Sequence, residues 1–374
     1  MLKALLIFIF LRPFISSRAF PLLNAGYFLA LLALLALWAI KRGLACGRDK
    51  PVRLPGALFT LALVISALNA PDKLAGLGAL YQYAAGIILM LACAGLSDND
   101  KGKTISLIAW SGFFVSLLSL FHYQYFFASR GLLSYLAKEK IAAGAYLSDF
   151  ISRGRAFFPF INPNILAGYL SLVIPLALTQ KKKILLTAPM FLALILTQSM
   201  GGSLSLFAGL LAYFCLCGRL RKRDLLLLAP AAAMIIVFFA LRSHSGGTHT
   251  RPAFSSLSRI NYWLATWEII WQHPLLGVGP GNFNLAQSRF AHNSYLQIWA
   301  ETGICGIIAF FWLAAALLRN SLQKIKASGS GQKIPLAGLS AASIAFLAHN
   351  FVDFSFFLPE VSLNWWVILG LSLL

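Results

Sequence analysis

The chain has 374 residues, of which 59% are hydrophobic and only 11% are charged. A soluble domain carries about 25% charged residues, so this composition excludes a soluble globular protein. It predicts that most of the chain faces lipid or other apolar helices. The formal net charge of +20 would suit nucleic-acid binding only if the basic residues formed one patch, and here they are dispersed between apolar stretches.

The apolar stretches predict an all-α, polytopic membrane protein with a single integral membrane domain, residues 1–374. A span needs about 20 mostly apolar residues, and the chain holds about twelve such stretches. The first is short and is interrupted by Arg12-Pro13, and we expect it to be a retained anchor rather than a signal peptide, since no cleavage site precedes Arg12. The predicted spans are Leu2–Ser16, Leu22–Ile40, Leu54–Ala70, Leu74–Leu96, Thr104–Phe127, Pro163–Gln180, Ile184–Gln198, Gly201–Cys217, Leu225–Leu241, Ser294–Leu318, Ile334–Phe351 and Val361–Leu374.

The basic residues predict the orientation of these spans. Eighteen of the 31 Lys and Arg residues lie in five short loops that fall on one side of the membrane. Basic residues in short loops mark the cytoplasmic face, so both termini are expected there. Two long loops, 128–162 and 242–293, are then on the outer face. The five basic segments are Lys41–Arg53, Lys101–Lys103, Lys181–Lys183, Arg219–Arg223 and Arg319–Lys333.

The second outer loop holds an amphipathic pattern over Leu257–Gln272, ended by His273-Pro274. Its Trp and Tyr residues favour a helix that lies at the membrane interface. Arg259 projects from the apolar face of this helix. A cation in that position either extends towards the lipid headgroups or pairs with an anion, and the sequence leaves both open.

The first outer loop ends at Asn162-Pro163-Asn164, a pattern typical of a helix start with Asn as the N-cap and Pro at the first helical position. On the residues alone, the sequence favours this capping role for the asparagines. Arg153 and Arg155 come just before this start. Because a helix N-terminus favours anions, the two guanidiniums predict a phosphate or pyrophosphate site, with headgroup contact as the alternative.

The segment after the amphipathic helix adds the remaining candidates. The glycines 277, 279 and 281 predict a tight turn back towards the membrane, whose N–H groups would be available to a phosphate. His292 lies at the outer end of the next span, where it is either a proton acceptor or an interfacial loop residue without a role. Glu301 lies inside that span, where a carboxylate is costly and usually functional or paired. The polar stretch His349–Asp353 is either an anchor or a support for the site. Cysteine and histidine spacings predict no metal site.

Taken in order, these motifs resemble the bacterial O-antigen ligase and polymerase superfamily. The resemblance rests on Arg155, Asn162-Pro163-Asn164, Arg259, the turn Pro274–Phe283 and the stretch His292–Gly303, with His349–Phe354 also fitting. These motifs span residues 153–359, whereas the first half of the chain is similar only in hydropathy. One position departs from the family: many relatives carry Ser-Arg-Gly where this chain has Ser199-Met200-Gly201. The resemblance leaves a phosphate contact from that loop in doubt, with Arg153 or Arg251 as substitutes.

The resemblance implies a glycosyltransferase of the bacterial inner membrane with its active site at the periplasmic face. It implies His292 as general base and Arg155 and Arg259 as ligands of the donor diphosphate, with Arg153, Asn164 and Glu301 as further substrate contacts. The implied donor is an undecaprenyl-diphosphate-linked glycan, and the implied reaction is inverting and uses neither metal nor cofactor. The implied acceptor is lipid A–core in a ligase or a growing lipid-linked glycan in a polymerase.

A transporter of lipid-linked glycans is the alternative from another functional class. Such a protein should carry charged residues near the bilayer midplane, along its pathway. The candidate residues of this chain cluster at one face instead, which favours an enzyme.

Overall fold

The protein is a bundle of α-helices. The computed structural model describes residues 1–43, 50–127, 154–218 and 252–373, together with 232–233 and 236. Within these ranges there are twelve helices of at least ten residues and no β-strand. They are α1 (Leu2–Leu11), α2 (Pro21–Arg42), α3 (Lys50–Asn69), α4 (Lys73–Ala94), α5 (Asp98–Phe127), α6 (Pro163–Ala177), α7 (Lys183–Thr197), α8 (Met200–Cys217), α9 (Pro252–Gln272), α10 (Ser294–Ala327), α11 (Ser330–His349) and α12 (Pro359–Ser372).

Six of the described helices are long and apolar enough to cross a bilayer: α2, α3 from Pro51 onwards, α4, α5, α8 and α10. This confirms a polytopic helical membrane protein. The count of twelve spans remains a prediction, since Leu225–Leu241 lies almost wholly outside the described residues. Within the first outer loop, the sequence also predicts a short helix over Leu132–Ile141, which lies outside the described residues.

The first predicted span differs from the structure. Helix α1 ends at Leu11 and a 3-10 turn follows over Arg12–Phe14. Ten residues at 1.5 Å each give about 15 Å, roughly half of the hydrocarbon thickness. Pro13 and the buried Arg12 explain the stop. The Arg12 guanidinium lies 3.3 Å from the Glu360 carboxylate, at the start of α12, and this contact holds the turn against the bundle.

The helices that meet at the site begin at polar caps visible in the sequence. The Asn162 side chain accepts a hydrogen bond from the Asn164 amide, and Pro163 opens α6 as predicted. The Asn293 side chain accepts from the Tyr295 and Leu296 amides at the start of α10. Such caps satisfy amide groups that a helix end leaves unpaired.

Two short helices form the centre of the bundle. Every residue of α12 is buried, and so is every residue of α6 except Asn164. Helix α6 packs on α8 and α11, while α12 packs on α4. Asn164 is thus the single partly exposed residue of a buried helix, at the end that carries the predicted motif.

The glycine turn docks onto a break in α10. At Gly303 the backbone leaves the helical conformation, with φ +67° and ψ −173°. The break frees carbonyl groups, and the turn takes them up. The Val278 amide donates to Ala300 O at 2.9 Å and the Gly279 amide to Glu301 O at 3.0 Å. In return, the Ile304 amide donates to Pro274 O at 2.9 Å.

The predicted tight turn is therefore confirmed, since glycines 277, 279 and 281 all have positive φ. Its other end is fixed to the connection between α3 and α4. The Asn282 side chain accepts from the Asp72 amide at 2.8 Å and donates to Asp72 O at 3.1 Å. The expectation that these glycine amides are available to a phosphate is wrong for 277 and 279, because both donate within the protein.

We predict that Gly303→Ala destabilises the protein by at least about 1–3 kcal/mol, because its backbone conformation is open almost only to glycine. An added Cβ would also overlap the Leu275 carbonyl group. Thermal melting of the purified protein in detergent measures the effect. Gly329→Ala is the matched control, since Gly329 has ordinary backbone angles and open space around it. Equal melting temperatures for the two variants would contradict this role for the break.

Candidate active site

His292 is held in an uncommon conformation at the outer end of α10. Its φ is +52°, in the left-handed region that few residues other than glycine adopt. Both of its neighbours are fixed. The Ala291 amide donates to Gln297 Oε1 at 3.2 Å, and Asn293 caps α10. The local strain is thus offset by contacts on either side, as is common at functional sites.

The imidazole of His292 lies between two aromatic rings. Tyr262 of α9 stacks on it, with ring centroids 5.4 Å apart. Phe354, in the connection between α11 and α12, meets it edge-on at 4.8 Å. The Nδ1 atom is buried and has no hydrogen-bond partner among the described residues. Helix α9 therefore brings the second outer loop onto His292 through Tyr262, which is one turn after Arg259.

Burial lowers the pKa of His292 below the usual value for histidine, because a poorly solvated site disfavours the charged imidazolium. The negative charge of Asp353 opposes this effect by raising the pKa, and the positive charge of Arg259 lowers it further. The net result is an imidazole that is neutral at pH 7. A neutral imidazole can accept a proton, which is the state that a general base requires.

The His349–Asp353 stretch fastens the start of α10. The Ser294 amide donates to Asn350 O at 2.9 Å and its hydroxyl to Asn350 Oδ1 at 2.6 Å. Asn350 Oδ1 also accepts from the Phe356 amide at 2.8 Å. The anchoring interpretation of this stretch therefore holds for Asn350, which fixes the residue two positions after His292.

His349 lies between helices α6 and α8 on one side and Asp353 on the other. Its imidazole is buried, with Nε2 3.7 Å from Asp353 Oδ2 and Nδ1 3.5 Å from Ser205 Oγ in α8. It fits against α6 because Gly168 leaves room, since a Cβ at that position would overlap the ring. The Asp353 carboxylate thus acts on both His292 and His349.

The structure brings Arg155 into contact with Asn164, at the start of α6. Arg155 is buried; its Nε donates to Thr197 O at 2.8 Å and its Nη2 to Asn164 Oδ1 at 3.2 Å. The Ala156 amide donates to Leu196 O at 2.9 Å, which fixes the end of the first outer loop to the end of α7. Asn162 acts as the cap, and Asn164 has the further task of orienting the Arg155 guanidinium.

The remaining residues from the sequence analysis do not join this contact. Arg153 and Arg251 lie outside the described residues. Met200 occupies the first position of α8, behind the cap Ser199. Glu301 is buried and its Oε1 accepts from Gln297 Nε2 at 3.1 Å. It lines a cavity that does not include His292, so the structure does not bring Glu301 and His292 together.

The sequence analysis missed the aromatic contacts and one hydroxyl group. Tyr262 and Phe354 were not distinguishable from the many other aromatic residues of the chain. The Ser66 hydroxyl of α3 lies 2.6 Å from both Leu276 O and Glu301 O, so it contacts both the docked turn and the broken part of α10. The one signal in the sequence that could have identified Ser66 is its position, as a serine near the end of an apolar span.

Comparison with known proteins gives one family. Residues 185–311 match the family model described as O-antigen ligase. The matched segment contains Arg259, His292 and Glu301, and it ends before the His349–Asp353 stretch. No curated protein matches the chain.

We predict that His292 titrates below the usual histidine pKa of about 6.5, and that its two charged neighbours shift the titration in opposite directions. Arg259→Gln should raise the pKa, since it removes a positive charge. Asp353→Asn should lower it. NMR of ¹³C-labelled histidine, with His292→Gln to identify the signal, measures all three values. A His292 that titrates at the usual value and is insensitive to both substitutions would contradict this electrostatic arrangement.

Proposed function

The chain belongs to the O-antigen ligase and polymerase superfamily, and we propose that it transfers a glycan from undecaprenyl diphosphate to an acceptor hydroxyl. The observation that carries the proposal is the placement of His292: its imidazole lies between Tyr262 and Phe354, in a strained and fixed backbone conformation. Burial lowers its pKa, which favours the neutral form. The family match supports glycan transfer, and the histidine supplies the proton acceptor that the reaction needs.

The donor already contains a good leaving group. The acceptor oxygen forms a bond to the anomeric carbon, its proton passes to His292, and the bond from that carbon to the diphosphate oxygen breaks. The electron pair leaves with the diphosphate, where negative charge develops. Arg155 and Arg259 bind that diphosphate and stabilise the charge, with Asn164 orienting Arg155. Arg153 belongs to the same proposal as a further phosphate ligand.

This chemistry needs neither a metal ion nor a cofactor, because guanidiniums neutralise the leaving group. The acceptor attacks from the face opposite the diphosphate, which inverts the anomeric centre. We assign the reaction to the periplasmic face of the bacterial inner membrane, where the two outer loops lie in the topology given by the basic residues.

The proposed acceptor is lipid A–core, which makes the protein an O-antigen ligase. A polymerase would use the same donor and the same base with a growing lipid-linked glycan as the acceptor. An assay that offers both acceptors separates the two activities. A transporter of lipid-linked glycans is less well supported, because Arg155 and His292 lie at helix ends rather than at the middle of spans.

We predict that His292→Gln retains donor binding and loses roughly 10²–10⁴ in kcat, the usual contribution of general base catalysis. The proton moves only in the reaction, so kcat should change more than donor affinity. Turnover by purified protein with a lipid-diphosphate glycan and either acceptor measures this. The wild-type rate should fall as pH drops through the lowered pKa of His292, since the imidazole then becomes protonated.

Arg155→Lys provides the contrasting variant. A lysine cannot make both hydrogen bonds of the guanidinium, so this variant should lose donor affinity while its pH profile stays like that of the wild type. A His292→Gln protein that folds normally and turns over within a few-fold of the wild type would overturn the proposed base. It would not by itself exclude donor binding by the arginines.

A further inference from the structure

A cavity of about 390 Å³ opens beside the N-terminal connection, on the same side of the bundle as His292. It lies between the connection of α1 to α2, the first turns of α4 and the outer part of α10. Six of its lining residues carry the argument: Arg18, Tyr83, Arg289, Phe290, Gln297 and Glu301. Its volume falls within the range of about 300–1,000 Å³ typical of ligand sites.

Two arginines from distant parts of the chain meet at this cavity. The Arg18 guanidinium lies 4.8 Å from the centre of the Phe290 ring, and Arg289 is the residue before that phenylalanine. Both side chains are exposed at the surface and line the cavity. Partial burial and then the charge of Arg289 lower the pKa of Arg18. Glu360 opposes this shift, but its carboxylate is already 3.3 Å from Arg12 and 3.3 Å from the Ser17 amide.

Buried polar atoms line the inner wall of the cavity. Glu301 is 2% exposed, and the Gly281 amide points towards its carboxylate. Its Oε2 makes no hydrogen bond of normal geometry with the described residues. The hydroxyl of Tyr83, also a buried residue, is in the same state. A buried polar atom without a partner costs about 1–3 kcal/mol, so such atoms in a cavity wall indicate groups that a ligand satisfies. Gln297 holds Glu301 in place through Oε1.

The cavity is connected to His292 through two rings. Phe290 stacks on Phe354 at 4.0 Å, with the ring planes 8° apart. Phe354 meets the imidazole of His292 edge-on. A substrate that lies across this aromatic pair can therefore occupy the cavity with one unit and present the next to His292.

We propose that this cavity is the acceptor subsite and binds a sugar that carries a phosphate or a carboxylate. Arg18 and Arg289 bind the anionic group, while Glu301 and Tyr83 form hydrogen bonds with sugar hydroxyls. Paired guanidiniums are suited to oxyanions, and the wall of this cavity combines polar side chains with aromatic rings, which suits the hydroxyl groups and the apolar face of a sugar. The identification of the ligand as the acceptor rests on the proposed transferase function, whereas the site itself does not.

Direct binding tests the site without any turnover. Equilibrium dialysis of the full-length protein in detergent against radiolabelled glucose 6-phosphate or glucuronic acid gives the dissociation constants. Arg18→Gln and Arg289→Gln should each weaken the binding of at least one anionic sugar by tenfold or more, and Glu301→Gln should weaken it less. Arg319→Gln is the matched control, since it removes an exposed charge at the opposite end of α10 and should change binding by less than twofold.

Competition distinguishes the possible sources of the anion. Neutral glucose and inorganic phosphate should each bind at least tenfold more weakly than the anionic sugar, and vesicles of phosphatidylglycerol should not displace it. Equal affinity for inorganic phosphate would reduce the cavity to a simple anion site, and displacement by the vesicles would make it a headgroup site. Either result would overturn the proposal, and so would a wild-type protein that binds neither of the two anionic sugars.

The same variants separate this proposal from the proposed function. His292→Gln should bind the anionic sugar like the wild type. Arg289→Gln should raise the KM for acceptor tenfold or more and leave the KM for donor within twofold. If His292→Gln is inactive while the cavity variants bind and turn over normally, only the acceptor subsite is wrong. If the cavity variants lose binding while His292→Gln stays active, the subsite stands and the proposed base is wrong.

Discussion

The exchange of hydrogen bonds between the broken helix α10 and the glycine turn is the constraint on which the outer face of this protein depends. A helix that breaks within a membrane must satisfy the freed backbone groups inside the protein. Here the turn supplies donors to Ala300 O and Glu301 O and accepts from Ile304. The same contacts fix the chain between α9 and α10, so the positions of Arg259, Tyr262 and His292 all follow from the break at Gly303.

In the proposed site, charges of opposite sign act on His292, the proposed base. Asp353 and Arg259 act on His292 in opposite directions, and burial decides that the imidazole stays uncharged at neutral pH. Arg155 is held from the other side, by Thr197 O and Asn164. His349, beside Asp353, connects α6 and α8 with the segment that fastens α10. Buried polar contacts thus fix Arg155 against the start of α6, and they fix the start of α10 next to His292.

Local signals in the sequence predicted much of this arrangement. The cap at Asn162, the end of α9 at His273-Pro274 and the positive φ of the turn glycines each depend on a few neighbouring residues, and the structure confirms them. The break at Gly303 was not predicted, because a single glycine within the apolar span Ser294–Leu318 looks like any other small residue. Its role depends on hydrogen bonds to Pro274 and Val278, and an apolar periodicity carries no information about such partners.

The cavity lined by Arg18 and Arg289 shows the same limit over a longer range. Arg18 and Arg289 are 271 positions apart in the sequence, and each alone resembles an ordinary basic residue at a membrane surface. Glu301 was recognisable as an unusual carboxylate within a span, but its place in the same cavity as Arg18 depends on the fold. The separation of Glu301 from His292, by contrast, is expected from helix periodicity, since nine residues at about 100° each place the two on opposite faces.

The stereochemistry of a single transfer tests the central claim most directly. The purified protein would be given a lipid-diphosphate glycan of known anomeric configuration and its acceptor, in excess EDTA, and the new glycosidic bond would be examined by NMR. Attack by a hydroxyl that His292 deprotonates, with arginines in place of a metal at the diphosphate, predicts the inverted configuration and a rate unaffected by EDTA. A retained configuration, or activity that disappears in EDTA and returns with magnesium, would contradict it.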